Sequence, residues 1–211
     1  MKFQKILCFI LISISVAILS LAGYTEQTTS QTISASRNSE GITKPPSQTQ
    51  IAQTQNRQSA SAETAIRRKL QRWRELFSPG ETRYSLSGYE DLYVNTDELL
   101  VYDSYSPKGY PREICGWNNY RTLWEKYIPI DFPGWRIINF NITRLEPQGD
   151  YAWSAISYVG RGVRNGAEYF GGQHGTHIWK RINGDWRIVH EHLTTMTDQE
   201  VQARRQAGTT N

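Results

Sequence analysis

The residues of this chain whose types and spacing could do chemistry are three histidines near its C-terminal end, His177, His190 and His192. His190 and His192 are separated by one residue. In a strand, side chains alternate, so both would share a face with Trp186 and Ile188. Two imidazoles so placed can chelate a metal ion when a third ligand converges on them. Glu191 points to the other face, and His177 joins only under one register of the neighbouring strand, so no metal site is assigned. A histidine near neutral pH is also a suitable general base. The alternative is an imidazole hydrogen-bonded across strands or at a subunit contact. The residues alone leave both open.

The elements that position these histidines are legible. Asn183-Gly184 is a two-residue hairpin turn, since both residue types tolerate positive φ. It joins a strand over 168–182 to one over 186–194. Gly171-Gly172 within the first of these suggests a bulge or sharp bend. Further strands are expected over 151–163 and 135–145, with turns at Pro147-Gln148-Gly149-Asp150 and Asn165-Gly166. On the last strand, either Trp186, Ile188, His190 and His192 or Val189, Glu191 and Leu193 face inward. A bulge would reverse the answer within one strand.

Upstream, Ala62, Ile66, Leu70, Trp73 and Phe77 recur at helical spacing, with Ser61 as N-cap and Ser78-Pro79-Gly80 as the stop. Leu86, Tyr89, Leu92 and Tyr93 suggest a second short helix. Residues 98–105 read as a strand with Leu99, Val101 and Asp103 on one face and Leu100 and Tyr102 on the other. A loop follows over 106–113, then a third helix over 116–127 carrying Tyr120, Leu123, Trp124 and Tyr127. Helices segregated from four consecutive antiparallel strands give an α+β domain. A long, bent sheet with about three helices on its concave face makes a half-open cone, whose mouth is a natural ligand cavity.

The ends of the chain differ in kind. Lys2 and Lys5 precede an apolar run over 6–21 and small residues at Ser20-Leu21-Ala22, which predicts a signal peptide over 1–22 and export to a periplasmic or secreted location. Retained, the same segment would be an N-terminal membrane anchor. Residues 23–60 are rich in Gln, Ser and Thr with little to bury, and read as a disordered linker. Residues 61–196 form the domain, and 197–211 a polar C-terminal tail. Cys8 lies in the signal, so Cys115 stands alone after cleavage, and no disulfide framework is expected. With 24 basic and 20 acidic residues, the formal charge of +4 gives no reason to expect a nucleic-acid partner. No cofactor motif is present.

The pattern resembles the nuclear transport factor 2-like superfamily, in particular its SnoaL-like branch and the association domain of calcium/calmodulin-dependent protein kinase II. The residues that carry the resemblance are Thr176, Trp179, Arg181, Gly184, Trp186, Ile188-Val189-His190 and His192, with the helix opening at Gly116 and running through Tyr120 to Trp124. The resemblance spans about residues 61–195. It implies a cone-shaped α+β barrel, a pocket between helices and curved sheet, and self-association as a homodimer or higher oligomer through the outer sheet face. Such folds include isomerases, cyclases, dehydratases and non-catalytic assembly domains, so fold does not fix function. Some relatives use a pocket Asp, or an Asp–His pair, to move protons. Asp103 is the carboxylate at a comparable position. Where the kinase domain has pocket arginines, His177 and Leu193 stand, and Tyr120 replaces a helix histidine, so an anionic ligand of that kind is not implied.

Together these readings point to an exported domain that binds a small, mostly apolar ligand, assembles with itself, or both. Tyr102, Trp117, Tyr120, Trp124, Tyr158 and Trp179 are the candidate ligand-binding residues, with Tyr102 and Asp103 at the cavity entrance. The alternative is a lyase or isomerase using Asp103, His177, His190 or His192 as its proton-transfer group.

Overall fold

The computed structural model describes residues 47–79, 88–107, 109–164 and 166–208. The expected signal peptide, most of the expected linker, and Asn165 of the second hairpin signal lie outside the described residues. Helix α1, Gln48–Leu76, comes first. It buries Ile66, Leu70 and Trp73 completely, as the helical spacing requires. It also begins 13 residues before Ser61, which is an exposed mid-helix residue rather than the N-cap. Residues 48–60 contain no Gly or Pro and are rich in Gln and Ala, both good helix formers. Once the buried half nucleates the helix, propagation costs little, even with every side chain in solvent.

Strands β1 (Leu100–Asp103), β2 (Glu113–Cys115), β3 (Arg136–Gln148), β4 (Tyr151–Arg164), β5 (Ala167–Ile182) and β6 (Asp185–Thr195) form one sheet in the order β2-β1-β6-β5-β4-β3. The β3-to-β6 meander is antiparallel, but β1 runs parallel to β6, so the sheet is mixed rather than wholly antiparallel. The expected short helix near Tyr89 is a single turn, with Leu92 and Tyr93 N–H donating to Tyr89 O. Tyr93 then bridges to Ile188, because an open sheet edge offers this backbone better partners than an isolated turn does. Helices α2 (Trp117–Lys126) and α3 (Ile128–Asp131) pack with α1 on the inner face, in one core cluster with Trp179, Trp186 and Ile188.

Three bulges curl the sheet. Ile138 and Thr143 have no partner on β4, and Val189 has none on β5. An unpaired residue bends its strand and increases the local twist. The Gly171-Gly172 pair is not a bulge, for β4 and β5 pair without a register shift there. Gly172 is small because Met196 Sδ and Tyr158 O would each lie 2.8 Å from a Cβ.

The C-terminal stretch, read as a polar tail, contains helix α4, Asp198–Gly208. Thr197 and Glu200 form a capping box: Thr197 N–H donates to Glu200 Oε2 at 2.8 Å, and Glu200 N–H to Thr197 Oγ1 at 3.3 Å. The helix covers the outer sheet face over β3 to β5, burying Val201 and Met196 against Val159. Only one of its residues is buried, which is why its composition read as tail.

Candidate active site

A cavity of ≈ 290 Å³ opens where β1 ends, between the sheet and α3. Its walls are mostly aromatic, from Phe77, Tyr105, Phe132, Trp135, Tyr158 and Tyr169. Gly160 and Gly171, paired across β4 and β5, leave the space that the Trp135 ring occupies; a Cβ on Gly160 would sit 2.3 Å from that ring.

One carboxyl enters this wall. Val101 and Asp103 point inward and Tyr102 outward, as strand alternation requires, and Asp103 is only 7% exposed. Its Oδ1 accepts from Tyr105 N–H at 2.8 Å and from Gln173 Nε2 at 3.3 Å. Gln173 is fixed in turn: Tyr158 Oη donates to its Oε1, and its Nε2 also donates to Ser104 Oγ at 3.0 Å. Both bonds fall on Oδ1, which leaves Oδ2 for a ligand. Burial pushes the Asp103 carboxyl up, the Tyr105 amide opposes this, the Glu191 charge raises it further and Gln173 lowers it, the net being about 7. Beside it, Tyr105 Oη donates to Asp131 Oδ2, and burial and the Asp131 carboxylate hold the phenol well above its usual range.

His177 lies deeper, wholly buried, with Nε2 3.1 Å from Glu191 Oε2 and Nδ1 3.2 Å from Ser154 Oγ. Glu191 also accepts from Tyr93 and Tyr120. His177 contributes to this core network and does not line the cavity. His190 and His192 are on the opposite face of the sheet from Asp103. They flank Tyr102, with ring centroids 5.8 and 5.9 Å away. Burial, and then the neighbouring His192, push the pKa of His190 below the usual imidazole value.

The last strand satisfies both parities in turn. Trp186 and Ile188 are inward, Val189 is the extra residue, and Glu191 and Leu193 are inward beyond it. This is the reversal that a bulge produces. Of the six candidate ligand-binding residues, Tyr158 lines the cavity. Tyr102 is on the outer face, and Trp117, Tyr120, Trp124 and Trp179 are core side chains at most 6% exposed. Trp124 stands one ring behind the wall, 5.0 Å from Phe77. Sequence reasoning missed Gln173, Tyr105 and Trp135. Gln173 was within reach, since it shares the parity of His177 and Trp179 on β5. Among the described residues no three His, Cys, Asp or Glu side chains group to hold a metal ion.

No protein-family model matches the chain, and no curated protein matches it in sequence. Solved structures do match. A nuclear transport factor 2-like protein with a cystatin-like fold from Novosphingobium aromaticivorans is 14% identical at a TM-score of 0.54, over 77% of this chain and 97% of its own. Hexachlorocyclohexane dehydrochlorinase LinA-type3 from Novosphingobium barchaimii LL02 is 10% identical at 0.53, over 65% and 88%. A nuclear transport factor 2-like protein of unknown function from Pseudomonas putida KT2440 is 22% identical at 0.50, over 68% and 93%. What these structures share with this chain is the fold: the curled sheet with its helices is the nuclear transport factor 2-like α+β cone.

Proposed function

We propose that this domain binds a small, mostly apolar molecule in the aromatic cavity and moves one proton on it, as a lyase or isomerase with Asp103 as the acid–base group. The observation that carries this reading is the buried Asp103 carboxyl, free at Oδ2 and poised near neutrality. A group of that acidity takes a proton and gives it back at similar cost. As carboxylate, Asp103 removes a proton from a ligand carbon. The freed electron pair forms a double bond. In an isomerase the proton returns at another carbon; in a lyase a leaving group departs with its electrons. The aromatic wall keeps water away and strengthens the interaction with the carboxylate. The dehydrochlorinase among the fold neighbours is an example of this fold hosting an elimination, as its name states.

Native mass spectrometry of the protein from its own source identifies a carried ligand. With that ligand, Asp103→Asn is expected to bind and not to turn over. Turnover by Asp103→Asn at the wild-type rate would end this reading.

Self-association is the second part of the proposal. Trp153, Ile178, His190 and Leu100 form one row across the outer face, and Ala155, Thr176, His192 and Tyr102 the next. From β4 to β1 neither row holds a lysine, arginine or carboxylate, and Ile178 and Tyr102 are exposed; Glu146 and Arg144 on β3 and Glu113 on β2 stand at the row ends. A face that meets its own copy must be self-complementary, and an uncharged one avoids like-charge contact. Light scattering after size exclusion tests this; a monomer at high concentration counts against it. Export rests on the Lys2, Lys5 and apolar pattern of residues 1–22, and sequencing the exported N-terminus tests it.

A further inference from the structure

On the outer face of the sheet, His190 and His192 flank the Tyr102 ring. His192 is exposed and His190 half-buried. Neither belongs to the core network of His177, and neither lines the cavity. His192 Nε2 lies 3.5 Å from Thr194 Oγ1, at the limit of a hydrogen bond. Two imidazoles are half of a tetrahedral metal site. Among the described residues, no third His, Cys, Asp or Glu of the same chain groups with them.

A second copy supplies the other half. The two uncharged rows cross β4, β5, β6 and β1. Their centre therefore lies between β5 and β6 and midway between the rows, directly beside both histidines. Neighbouring strands are about 4.8 Å apart, residues i and i+2 of a strand about 6.6 Å, and stacked sheets about 10 Å. With a two-fold axis through that centre, each histidine Cα is displaced by half of each spacing from the point midway between the sheets. The result is about 6.5 Å for all four Cα atoms. A histidine side chain extended through Nε2, with a metal–nitrogen bond of about 2.1 Å beyond it, covers that span.

We propose that His190 and His192 of two copies together bind one divalent transition-metal ion, of the zinc and copper kind that imidazole suits, on the two-fold axis of a face-to-face dimer. This rests on the self-association reading given above and names what joins the copies. Closing the face takes four imidazoles out of water, and buried polar atoms left unpaired are costly. The ion occupies all four ring lone pairs at once. Burial already favours the neutral form of His190, which is the form that ligates.

The charges around the site agree with this. Glu113 ends the His192 row beyond Tyr102, so each copy brings one carboxylate toward the doubly charged ion. The half-turn lays the β2 end of one copy over the β3 end of the other. There Arg144, 3.2 Å from its own Glu146, comes near Glu113 of the second copy. Lys180 and Arg187, one row nearer the hairpin turn, are paired with Glu98 and Asp185. Helix α4 covers Val159, and the half-turn carries Tyr151, where the facing β4 begins, only as far as the row of Ser157. The helix thus stands beyond the end of the facing sheet.

The test is sedimentation equilibrium of the full chain at neutral pH, with zinc sulfate and with EDTA, beside metal analysis of the dialysed protein. One zinc ion per pair of chains is expected, with dimer dissociation at least about tenfold weaker in zinc than in EDTA. Cobalt(II) in place of zinc should show the visible absorption of a tetrahedral ion. His190→Ala and His192→Ala, both on the outer face, should each keep the fold and lose the response to zinc. A dimer of equal strength in zinc and EDTA overturns this inference and leaves self-association standing. A monomer in both overturns self-association as well. One zinc ion on each monomeric chain also overturns the inference, since a single copy would then suffice.

Discussion

His177 and Glu191 are register partners on β5 and β6, and their side chains meet at 3.1 Å with no access to solvent. A buried pair of this kind contributes little merely by being a pair, because desolvation offsets much of the attraction. Its worth here depends on the complete set of partners around it, and removing any one partner is the informative experiment.

Ser154 is the first such partner. Ser154→Ala leaves Trp179 Nε1 without an acceptor and His177 Nδ1 without its hydrogen-bond partner, both in the core. An unsatisfied buried polar group costs about 1–3 kcal/mol. Equilibrium urea unfolding should show a loss in that range, with an unchanged slope.

Asp103 makes stability depend on pH in an unusual direction. Its carboxyl is raised from 3.8 to about 7 in the fold. Between those values the unfolded chain has released the proton and the folded chain has not, so stability falls as pH rises through that window. The full effect is on the order of 4 kcal/mol. Asp103→Asn has no proton to lose, so its Tm should exceed that of the wild type by several degrees at pH 8 and match it near pH 4. Glu191 acts with the opposite sign: its contribution is present at neutral pH and is lost as pH falls through the acid range.

Gly160 and Gly171 face one another across β4 and β5, yet they should respond differently to the same change. A Cβ on Gly160 would lie 2.3 Å from Trp135, whereas on Gly171 it would lie 3.5 Å away, an ordinary contact. Gly160→Ala should therefore displace Trp135, cost about 1–3 kcal/mol and reshape the cavity. Gly171→Ala should stay within about 0.5 kcal/mol of the wild type. Thermal unfolding and indole fluorescence together would separate the two.

Thr197→Ala removes one half of the capping box on α4. The expected cost is about 1 kcal/mol, confined to the outer face. Hydrogen exchange should speed up across α4 while amides beside Trp179 keep their protection.

The parts of the fold legible in the sequence were those set by local patterns. Asn183 and Gly184 do take positive φ, at 51° and 83°, and the four meander strands begin and end within a few residues of expectation. The inward parity of Val101 and Asp103 also followed from alternation alone. The rest depended on distant partners. The parallel pairing of β1 with β6 joins segments some 90 residues apart, and nothing in Leu100–Asp103 states its direction. The first half of α1 and all of α4 are nearly free of buried apolar residues, so composition placed them outside the domain. The Asp103 site was half legible: the carboxyl and Tyr158 carried signals, but Gln173 acts through one hydrogen bond that only the folded register creates.

Val189 carries a consequence beyond curvature. Strict alternation through an unbroken strand would carry the inward face from Trp186 and Ile188 to His190 and His192, and turn Glu191 and Leu193 outward. A one-codon deletion at Val189 would instead make Ile188 and His190 successive, as their partners Trp179 and Ile178 are, so Glu191 and Leu193 would keep their inward places and only the bend would be lost. The same letters without the pause would write a different site, so the chemistry of this strand is encoded in its phase as much as in its residues.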